Sequence, residues 1–439
     1  MKKISVTMIV IFVAFLALVS GGSLLMKDRE FSPNENRYLA EPPRLTVDNI
    51  LSGKFQDGLE NYLRDQICFR DGWITVKTGI QKVCKDTDIG GAYVGKDGYD
   101  FEKITPEDVD EKQIARNVKA VQDFFAKASE NVEKDRLSFL LVPSSGLVME
   151  DKLPAHARLF DQAKYIDQIE KQMKDCRVTD VREKLLSHNE DYIYYKTDHH
   201  WTTLGAYYAY RQYADYCDIS DQKTGASANG GSSSCDDAFA YEAPADAGYT
   251  ETIVSANFLG TNYSKAPGIN IKPDTITRME KSVADSSANA ENGAGNGNIR
   301  MSILSANLEC EKTFDSVYDE SYLDKKDKYS YFLSGNNPVT FIETERDASE
   351  NGGVNMQAAE DSNAYGKGGR RNLLVVKDSY AHAFIPFLTS DFDTITAVDM
   401  RYYRSSLSGI IAEYEITDIL VLYNVLNFAS DSNLIYLAR

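Results

Sequence analysis

Apolar runs alternate with amphipathic segments through most of this chain. Runs of four or more apolar residues with few polar interruptions predict buried strands, because a strand covered on both faces has no polar side. These runs are residues 137–143, 176–181, 372–376, 394–399 and 419–423. Apolar residues spaced three and four apart predict helices at residues 111–127, 160–175, 380–388 and 407–414. The alternation favours an α/β fold with a mostly parallel sheet, in which ligands collect at the carboxyl ends of the strands.

The N-terminal segment has the layout of an export signal. Lys2 and Lys3 precede 23 uncharged residues, Ile4 to Met26, which is long enough to cross a bilayer of about 30 Å. We expect residues 1–29 to be a signal-anchor helix or a cleaved signal peptide. The body is then extracytoplasmic, either anchored in the membrane or secreted.

Composition divides the remainder. Residues 30–105 predict an N-terminal region of helices and a hairpin, the hairpin lying around Lys96-Asp97-Gly98. Residues 106–439 predict the α/β domain. Three polar, Gly- and Ser-rich or Asn-rich stretches near 220–248, 281–298 and 343–370 interrupt it, and we interpret them as surface insertions without chemistry.

The net charge and the cysteine content bear on the binding partners and on the compartment of the protein. The net charge of −18 disfavours nucleic acid or another polyanion. Six cysteines are consistent with export, and Cys217 with Cys235, which flank the first insertion, are the pair we favour for a disulfide.

The stretch from Tyr194 to Thr202 holds two of the five histidines side by side, after an aspartate. The Asp-x-His spacing predicts that Asp198 and His200 leave an extended backbone on one side, and Thr197 or Asp198 is the expected cap of the helix that follows. A histidine with its aspartate partner is what a base-activated nucleophile requires.

Ser379 follows an apolar strand and precedes a helix. A serine at such a turn presents its hydroxyl at the carboxyl end of the sheet, with the helix N-terminus beneath it. The hypothesis is a triad in which Ser379 is the nucleophile, His200 the general base and Asp198 the residue that orients the imidazole.

Other interpretations stay open. Ser379 and Asp198 are each suited to capping a helix. Asp198, His199 and His200 also offer metal ligands, although the usual third and fourth His or Cys ligands are missing from their neighbourhood in the sequence. We therefore predict no metal and no cofactor.

The residues Asp198-His199-His200-Trp201, with Tyr195-Lys196-Thr197 before them and Asp378-Ser379-Tyr380-Ala381 later, resemble the DHHW-motif proteins. That family is related to the alginate O-acetyltransferases of the SGNH-hydrolase superfamily. The resemblance extends to Glu35-Asn36-Arg37, Asp65-Gln66, Phe69-Arg70 and Phe258-x-Gly260-Thr261, and so covers the chain from about residue 30, the insertions excepted.

The resemblance implies an SGNH-like three-layer α/β/α sandwich and gives Asp198, His200 and Ser379 the triad roles. It also implies acetyl transfer to an exported polysaccharide, with a glycan acceptor and an acyl donor supplied by a membrane-bound O-acyltransferase. Lys377 stands where ordinary SGNH enzymes have glycine, so the oxyanion donors do not transfer. Asn424 and the Gly335-Asn336 turn are candidates for oxyanion contacts by position only, and Arg401 is a candidate to neutralise developing charge. Trp201 and Tyr380 are the further candidates for substrate contacts, and a place in the core is an equal alternative for Trp201.

The sequence thus predicts an exported serine-dependent O-acetyltransferase or esterase of cell-envelope or extracellular polysaccharide. The rival from another class is a non-catalytic carbohydrate-binding or assembly protein whose Tyr and Trp side chains stack on sugars. A metal-dependent hydrolase is the third hypothesis.

Overall fold

The computed structural model describes residues 2–32, 35, 37–217, 248–268, 271–281, 299–344 and 370–439. The three predicted insertions lie almost wholly outside the described residues. Cys235, the predicted disulfide partner of Cys217, lies outside them as well. Contacts divide the chain into two units. The first comprises Met1–Val94 with Thr261–Lys272, and the second comprises Gly95–Gly260 with Pro273–Arg439.

Helices and strands are numbered along the chain. The α-helices are α1 (Lys2–Leu25), α2 (Val47–Leu51), α3 (Lys54–Asp65), α4 (Arg70–Val83), α5 (Glu111–Ala128), α6 (Ser145–Val148), α7 (Gln162–Glu170), α8 (Arg182–Leu186), α9 (Thr203–Tyr216), α10 (Thr261–Lys265), α11 (Ala381–Leu388), α12 (Ser408–Glu413) and α13 (Val425–Ser430). The strands are β1 (Phe31–Ser32), β2 (Arg37–Tyr38), β3 (Asp88–Ile89), β4 (Ala92–Val94), β5 (Asp100–Glu102), β6 (Leu137–Val142), β7 (Arg177–Val178), β8 (Tyr249–Phe258), β9 (Asp274–Lys281), β10 (Ile299–Leu304), β11 (Cys310–Phe314), β12 (Val339–Thr344), β13 (Asn372–Lys377), β14 (Thr394–Val398) and β15 (Asp418–Asn424).

The first unit begins with the apolar helix α1. Within the described residues, its segment Val6–Leu25 is the one helix long and apolar enough to cross a membrane, judged by length and composition. An export signal and a membrane anchor both fit this segment.

Some of the first-unit residues that resemble the DHHW-motif proteins form an ion-pair cluster. Arg37 donates to both carboxylate oxygens of Asp65, at 2.8 and 2.5 Å, and Arg70 pairs with Glu35. The Arg37 hydrogen bonds lower the pKa of Asp65 to about 2. This cluster joins the segment before α2 to the ends of α3 and α4, so these residues serve the fold of this unit.

The second unit is built on an eight-stranded sheet in the order β11-β10-β12-β14-β13-β15-β6-β7. The five strands from β14 to β7 are parallel, and β12, β10 and β11 extend them in antiparallel pairing. A separate antiparallel pair, β8 with β9, belongs to the same unit. The predicted mostly parallel α/β architecture is confirmed.

Helices cover both faces of this sheet. On one face, Leu374 and Val376 of β13 lie in a buried apolar cluster with side chains of α5, α12 and α13. The alternate side chains face the other way, where Ser138 of β6 lies 3.7 Å from Cys217 at the end of α9. On that second face, aromatic side chains of α9 and α11 pack together, as in the stacked rings of Tyr210 and Phe387. The sandwich therefore has three layers.

Candidate active site

Ser379 lies in the serine turn, which we define as Lys377 to Tyr380 between β13 and α11. The turn is closed by Asp378, whose carboxylate accepts from the backbone N–H of Tyr380 at 2.9 Å and of Asn424 at 2.8 Å. It also accepts from Asn427 Nδ2 at 2.8 Å. Because Asn424 ends the neighbouring strand β15, Asp378 ties the turn to the sheet edge. Within the described residues the Ser379 N–H makes no hydrogen bond, so it is available to a ligand.

His200 lies in the histidine loop, which we define as Ile193 to Thr202. The loop is closed like a hairpin, since Thr202 N–H donates to Ile193 C=O at 2.9 Å and Tyr195 N–H donates to His200 C=O at 3.2 Å. The predicted extended backbone is wrong: residues 198–200 bend. The bend arises because Asp198 Oδ1 accepts from the N–H of His200, 3.1 Å away.

The predicted helix cap is also wrong. Thr202 caps α9, its hydroxyl accepting from Gly205 N–H at 3.3 Å. Thr197 is occupied elsewhere: its N–H and hydroxyl both donate to Asp274, at 2.7 and 2.5 Å.

The three predicted triad residues come together. His200 Nε2 lies 2.7 Å from Ser379 Oγ, and His200 Nδ1 lies 2.6 Å from Asp198 Oδ1. The contact between His200 and Ser379 joins segments 179 residues apart. The network assigns the proton to Nδ1, leaving Nε2 to accept the serine proton.

Burial sets the chemistry of His200. The side chain is 6% exposed and Ser379 is 9% exposed. Burial, and secondarily the neighbouring His199, lower the pKa of His200 to about 4, although Asp198 opposes this shift. The imidazole is therefore neutral, and able to act as a base, at any pH well above 4.

Two supports of the histidine loop were not foreseen from the sequence. Asp274, at the start of β9, accepts from Thr197 as above, from Lys196 N–H at 2.9 Å and from the Tyr192 hydroxyl at 2.5 Å. Gly260 lies against Asp198: a Cβ on it would lie 2.3 Å from both Cβ and Oδ2 of Asp198. Glycine is thus required by close approach, and the resemblance quoted for Gly260 was the one available signal.

The first residue of the serine turn is a buried lysine. Lys377 is fully buried, its Nζ 2.8 Å from His382 Nε2 and 3.7 Å from Asp399. Burial lowers the pKa of Lys377 and holds the pKa of His382 well below its ordinary value. Lys377 therefore donates to a neutral imidazole.

Of the remaining predicted residues, Asn424 and Arg401 are committed to structural contacts. Asn424 Oδ1 caps α13 through Leu426 N–H at 3.0 Å, and its Nδ2 donates to Val142 C=O at 3.1 Å. Arg401 donates to Asp399 through Nε at 2.9 Å and Nη2 at 2.5 Å.

The other four predicted residues also have structural roles. Asn336 Oδ1 accepts from Arg401 Nη2 at 3.0 Å, and Gly335 adopts φ +80° in the turn before it. Trp201 is fully buried and donates to Tyr380 C=O at 2.9 Å. The Tyr380 hydroxyl donates to His199 C=O. Trp201 and Tyr380 therefore bind the histidine loop to the serine turn.

Asp198, His199 and His200 offer ligand atoms within 4.8 Å of one another. Both nitrogens of His200 already have hydrogen-bond partners in the triad. Metal binding by His200 would replace one of these bonds, so the triad and a metal centre are competing arrangements.

Residues 93–247 match the family described as the SGNH hydrolase-like domain of the acetyltransferase AlgX. The fold of the chain is an SGNH-like α/β fold. The matched range includes Asp198 and His200, whereas Ser379 lies beyond it. No protein among the curated sequences matches this chain.

Two solved structures share the fold. A DHHW family protein from Eubacterium siraeum is similar at 20% identity with a TM-score of 0.56, over 79% of this chain and 95% of that one. Bacillus cereus PatB1, solved with a sulfonyl adduct, is similar at 18% identity with a TM-score of 0.54, over 78% of this chain and 97% of that one. The predicted resemblance is confirmed. At these sequence identities, the two structures are evidence for the fold alone.

Proposed function

We propose that this protein is a serine-dependent O-acyl transferase or esterase that acts on an exported polysaccharide. The observation that carries the proposal is the hydrogen-bonded chain from Ser379 through His200 to Asp198, with Nε2 2.7 Å from the serine hydroxyl. The similarity of residues 93–247 to an acetyltransferase domain supports acetyl as the acyl group. The apolar helix α1 supports export.

In the first half-reaction, Ser379 Oγ attacks the acyl carbonyl of the donor while His200 Nε2 takes the hydroxyl proton. The tetrahedral oxyanion is stabilised by the Ser379 N–H and by the N-terminal end of α11. His200 then returns the proton to the leaving group, and an acyl-serine ester remains. Asp198 holds the Nδ1 proton throughout, which fixes the tautomer and stabilises the imidazolium.

In the second half-reaction, His200 removes the proton of an acceptor hydroxyl, which attacks the acyl-serine. The bond between the acyl carbon and Ser379 Oγ then breaks, and His200 returns the proton to Oγ. A sugar hydroxyl gives an acylated glycan, and water gives the free acid. The two activities share every residue of the triad, so the acceptor decides between them. A membrane-bound O-acyltransferase is the expected source of the acyl donor.

The test uses the full-length protein in detergent with nitrophenyl acetate. We expect a burst of nitrophenol and an acetyl adduct by intact mass. Ser379→Ala and His200→Ala abolish both, with the rate falling by about 10⁴-fold or more. Ser405→Ala, an exposed serine of the same unit, is the matched control and keeps both.

A sulfonyl fluoride gives a second readout, suggested by the adduct of PatB1. It labels the wild type and not Ser379→Ala, because sulfonylation needs the activated hydroxyl. A folded wild-type protein with neither adduct contradicts the proposal. A chelator is expected to leave the rate unchanged, and loss of activity on chelation would favour the metal-dependent hydrolase instead.

The carbohydrate-binding alternative depends on exposed aromatic side chains at the site. Trp201 is fully buried, and its ring packs on Phe384 with centroids 6.1 Å apart. It is therefore a core residue here, which removes the tryptophan that this alternative relied on at the motif.

A further inference from the structure

One tyrosine touches both segments of the site. Tyr329 lies in the 3-10 turn Tyr329–Tyr331, far in sequence from the serine turn and the histidine loop, and it is 4% exposed. Its ring stacks on the imidazole of His200, with centroids 3.8 Å apart and planes 12° from parallel. One face of the catalytic base is thereby covered by carbon.

The hydroxyl of the same side chain reaches the serine. Tyr329 Oη donates to the backbone C=O of Ser379 at 3.3 Å. His200 and Ser379 are otherwise joined directly by the single Nε2 to Oγ hydrogen bond. Tyr329 is therefore a second bridge between the base and the nucleophile.

The ring of Tyr329 has a second imidazole neighbour. The ring of His382 is nearly parallel to that of Tyr329, with an angle of 17° between the planes and 6.0 Å between the centroids. Lys377 Nζ donates to Nε2 of His382 at 2.8 Å. Both residues belong to the serine turn or to α11 directly after it. Tyr329 thus packs against both the base and His382, whose imidazole is itself bound by Lys377.

We propose that Tyr329 is a positioning residue: its ring holds His200 in line with Ser379 and keeps water from the imidazole, while its hydroxyl fixes the serine backbone. The proposal rests on the proposed function. It assigns to residue 329 a role that the sequence motifs do not indicate.

Several charged or titratable groups act on His200. Burial is the largest influence on its pKa and lowers it, His199 lowers it as well, and Asp198 and Glu102 raise it. The rings of Tyr329 and Tyr380 pack against the same imidazole. Removing the Tyr329 ring reduces the burial and leaves the carboxylates and His199, so we expect the pKa of His200 to rise towards its ordinary value of 6.5.

Two variants separate the ring from the hydroxyl. Tyr329→Leu opens the face of His200, and we expect the acid limb of kcat/KM to move up by about one pH unit or more, with kcat falling more than KM changes. Tyr329→Phe keeps the stacked ring, so the acid limb stays in place. Its kcat falls by about tenfold because the serine backbone loses its anchor.

Tyr331→Leu is the matched control. Tyr331 lies in the same turn, is fully buried and stacks on Tyr318, at 5.0 Å between centroids, away from the triad. The expected acid limb of this variant is that of the wild type. A general loss of packing in the turn would move Tyr329→Leu and Tyr331→Leu alike.

The pKa of His200 is measured independently of activity, by carbon-13 NMR of the five labelled histidines in the full-length protein, with His200→Gln to assign the signal. Folded Tyr329→Leu with a wild-type His200 pKa overturns the proposal, as does Tyr329→Phe with wild-type kcat. If the Leu variant does not fold, the Phe variant still decides. A shifted His200 pKa in a protein without turnover would support the positioning role and contradict the proposed function.

Discussion

The serine turn and the histidine loop meet at one hydrogen bond but are held in different ways. The serine turn follows directly from β13, a strand paired on both sides, and Asp378 ties it to the end of β15. The histidine loop lies outside the central sheet. Its position depends on hydrogen bonds to side chains that are distant in the sequence, chiefly that of Asp274. It also depends on the absence of a side chain at Gly260, which lies against Asp198.

This difference predicts which substitutions change the stability of the fold and which change the alignment of the catalytic groups. A group fixed by sheet pairing keeps its place unless the sheet itself is lost, because the pairing is cooperative with the whole core. A loop held by a few side-chain hydrogen bonds can shift by an ångström while the protein stays folded. We therefore expect substitutions around the histidine loop to reduce turnover, and those around the serine turn to reduce the free energy of unfolding.

The largest effect is expected for Gly260→Ala. The new methyl group would lie 2.3 Å from Asp198, so the carboxylate must move and His200 loses its orientation. Loss of the orienting carboxylate lowers kcat by roughly 10³-fold. Nitrophenyl acetate turnover measures it.

Gly409→Ala is the control for this change, since a methyl group at this helical position meets nothing within 4 Å. We expect wild-type turnover from it. Wild-type turnover in Gly260→Ala would show that Asp198 tolerates the displacement, and the distinction between loop and turn would fail.

The next largest effect is expected for Asp274, and we compare this buried carboxylate with that of Asp378. Asp274→Asn puts an amide N–H against the donors of Thr197 and Lys196, and we expect kcat to fall by about 10²-fold as the loop shifts. Asp378→Asn meets similar donors, Tyr380 and Asn424. There we expect about 2 kcal/mol lost from the free energy of unfolding and a fall in kcat of less than about tenfold.

Urea unfolding and kcat, measured on both variants, test this contrast. Equal losses of kcat in the two variants would mean that the sheet does not protect the serine turn. Asp215→Asn changes a solvent-exposed carboxylate of α9 and serves both measurements as a reference.

The smallest effect needs no substitution at the site. Because the pKa of His200 is lowered to about 4, kcat/KM is expected to fall by less than about twofold between pH 7 and pH 5. Initial rates across this range measure it. An acid limb near pH 6.5 would mean that water reaches the imidazole.

Stability responds to pH with opposite signs in the two regions. The unfolded chain takes up a proton on His200 near pH 6.5 and the folded protein only near pH 4, so this group lowers the free energy of unfolding as pH falls through that window. Burial raises the pKa of Asp378 above 3.8, so its contribution is lost as pH rises above that value. His200→Gln is expected to flatten the dependence between pH 4 and 6.5 in urea unfolding.

Much of this arrangement was predictable from the sequence. The apolar runs predicted β6, β7, β13, β14 and β15, because a strand depends on residues within a few positions of one another, whereas β8 to β12 were not predicted. The turn after β13 indicated Ser379, and the Asp-x-His spacing indicated Asp198 and His200, although the contact between His200 and Ser379 joins segments 179 residues apart. The bend at Asp198 was missed, since a side-chain oxygen that accepts from the backbone two residues later competes with extended structure.

The supporting residues could not be predicted in this way. Asp274 and Tyr329 lie 76 and 129 residues beyond Asp198 and His200, in segments separated by polar insertions. A buried aspartate or a stacked tyrosine has no signature in its neighbours. Similarly, Asn424 was chosen because it follows a strand and Arg401 because of its charge, but their neighbours Leu426 and Asp399 bind their side chains.

The order of the central sheet also has a consequence for biosynthesis. Leu137 of β6 pairs with Ile419 of β15, and β13, which carries the serine turn, pairs with the other side of β15. The strand that joins the early and late parts of the chain is thus itself made late. The final position of Ser379 therefore requires residue 424, and the nascent chain gains an assembled nucleophile only when β15, the last parallel strand, is inserted.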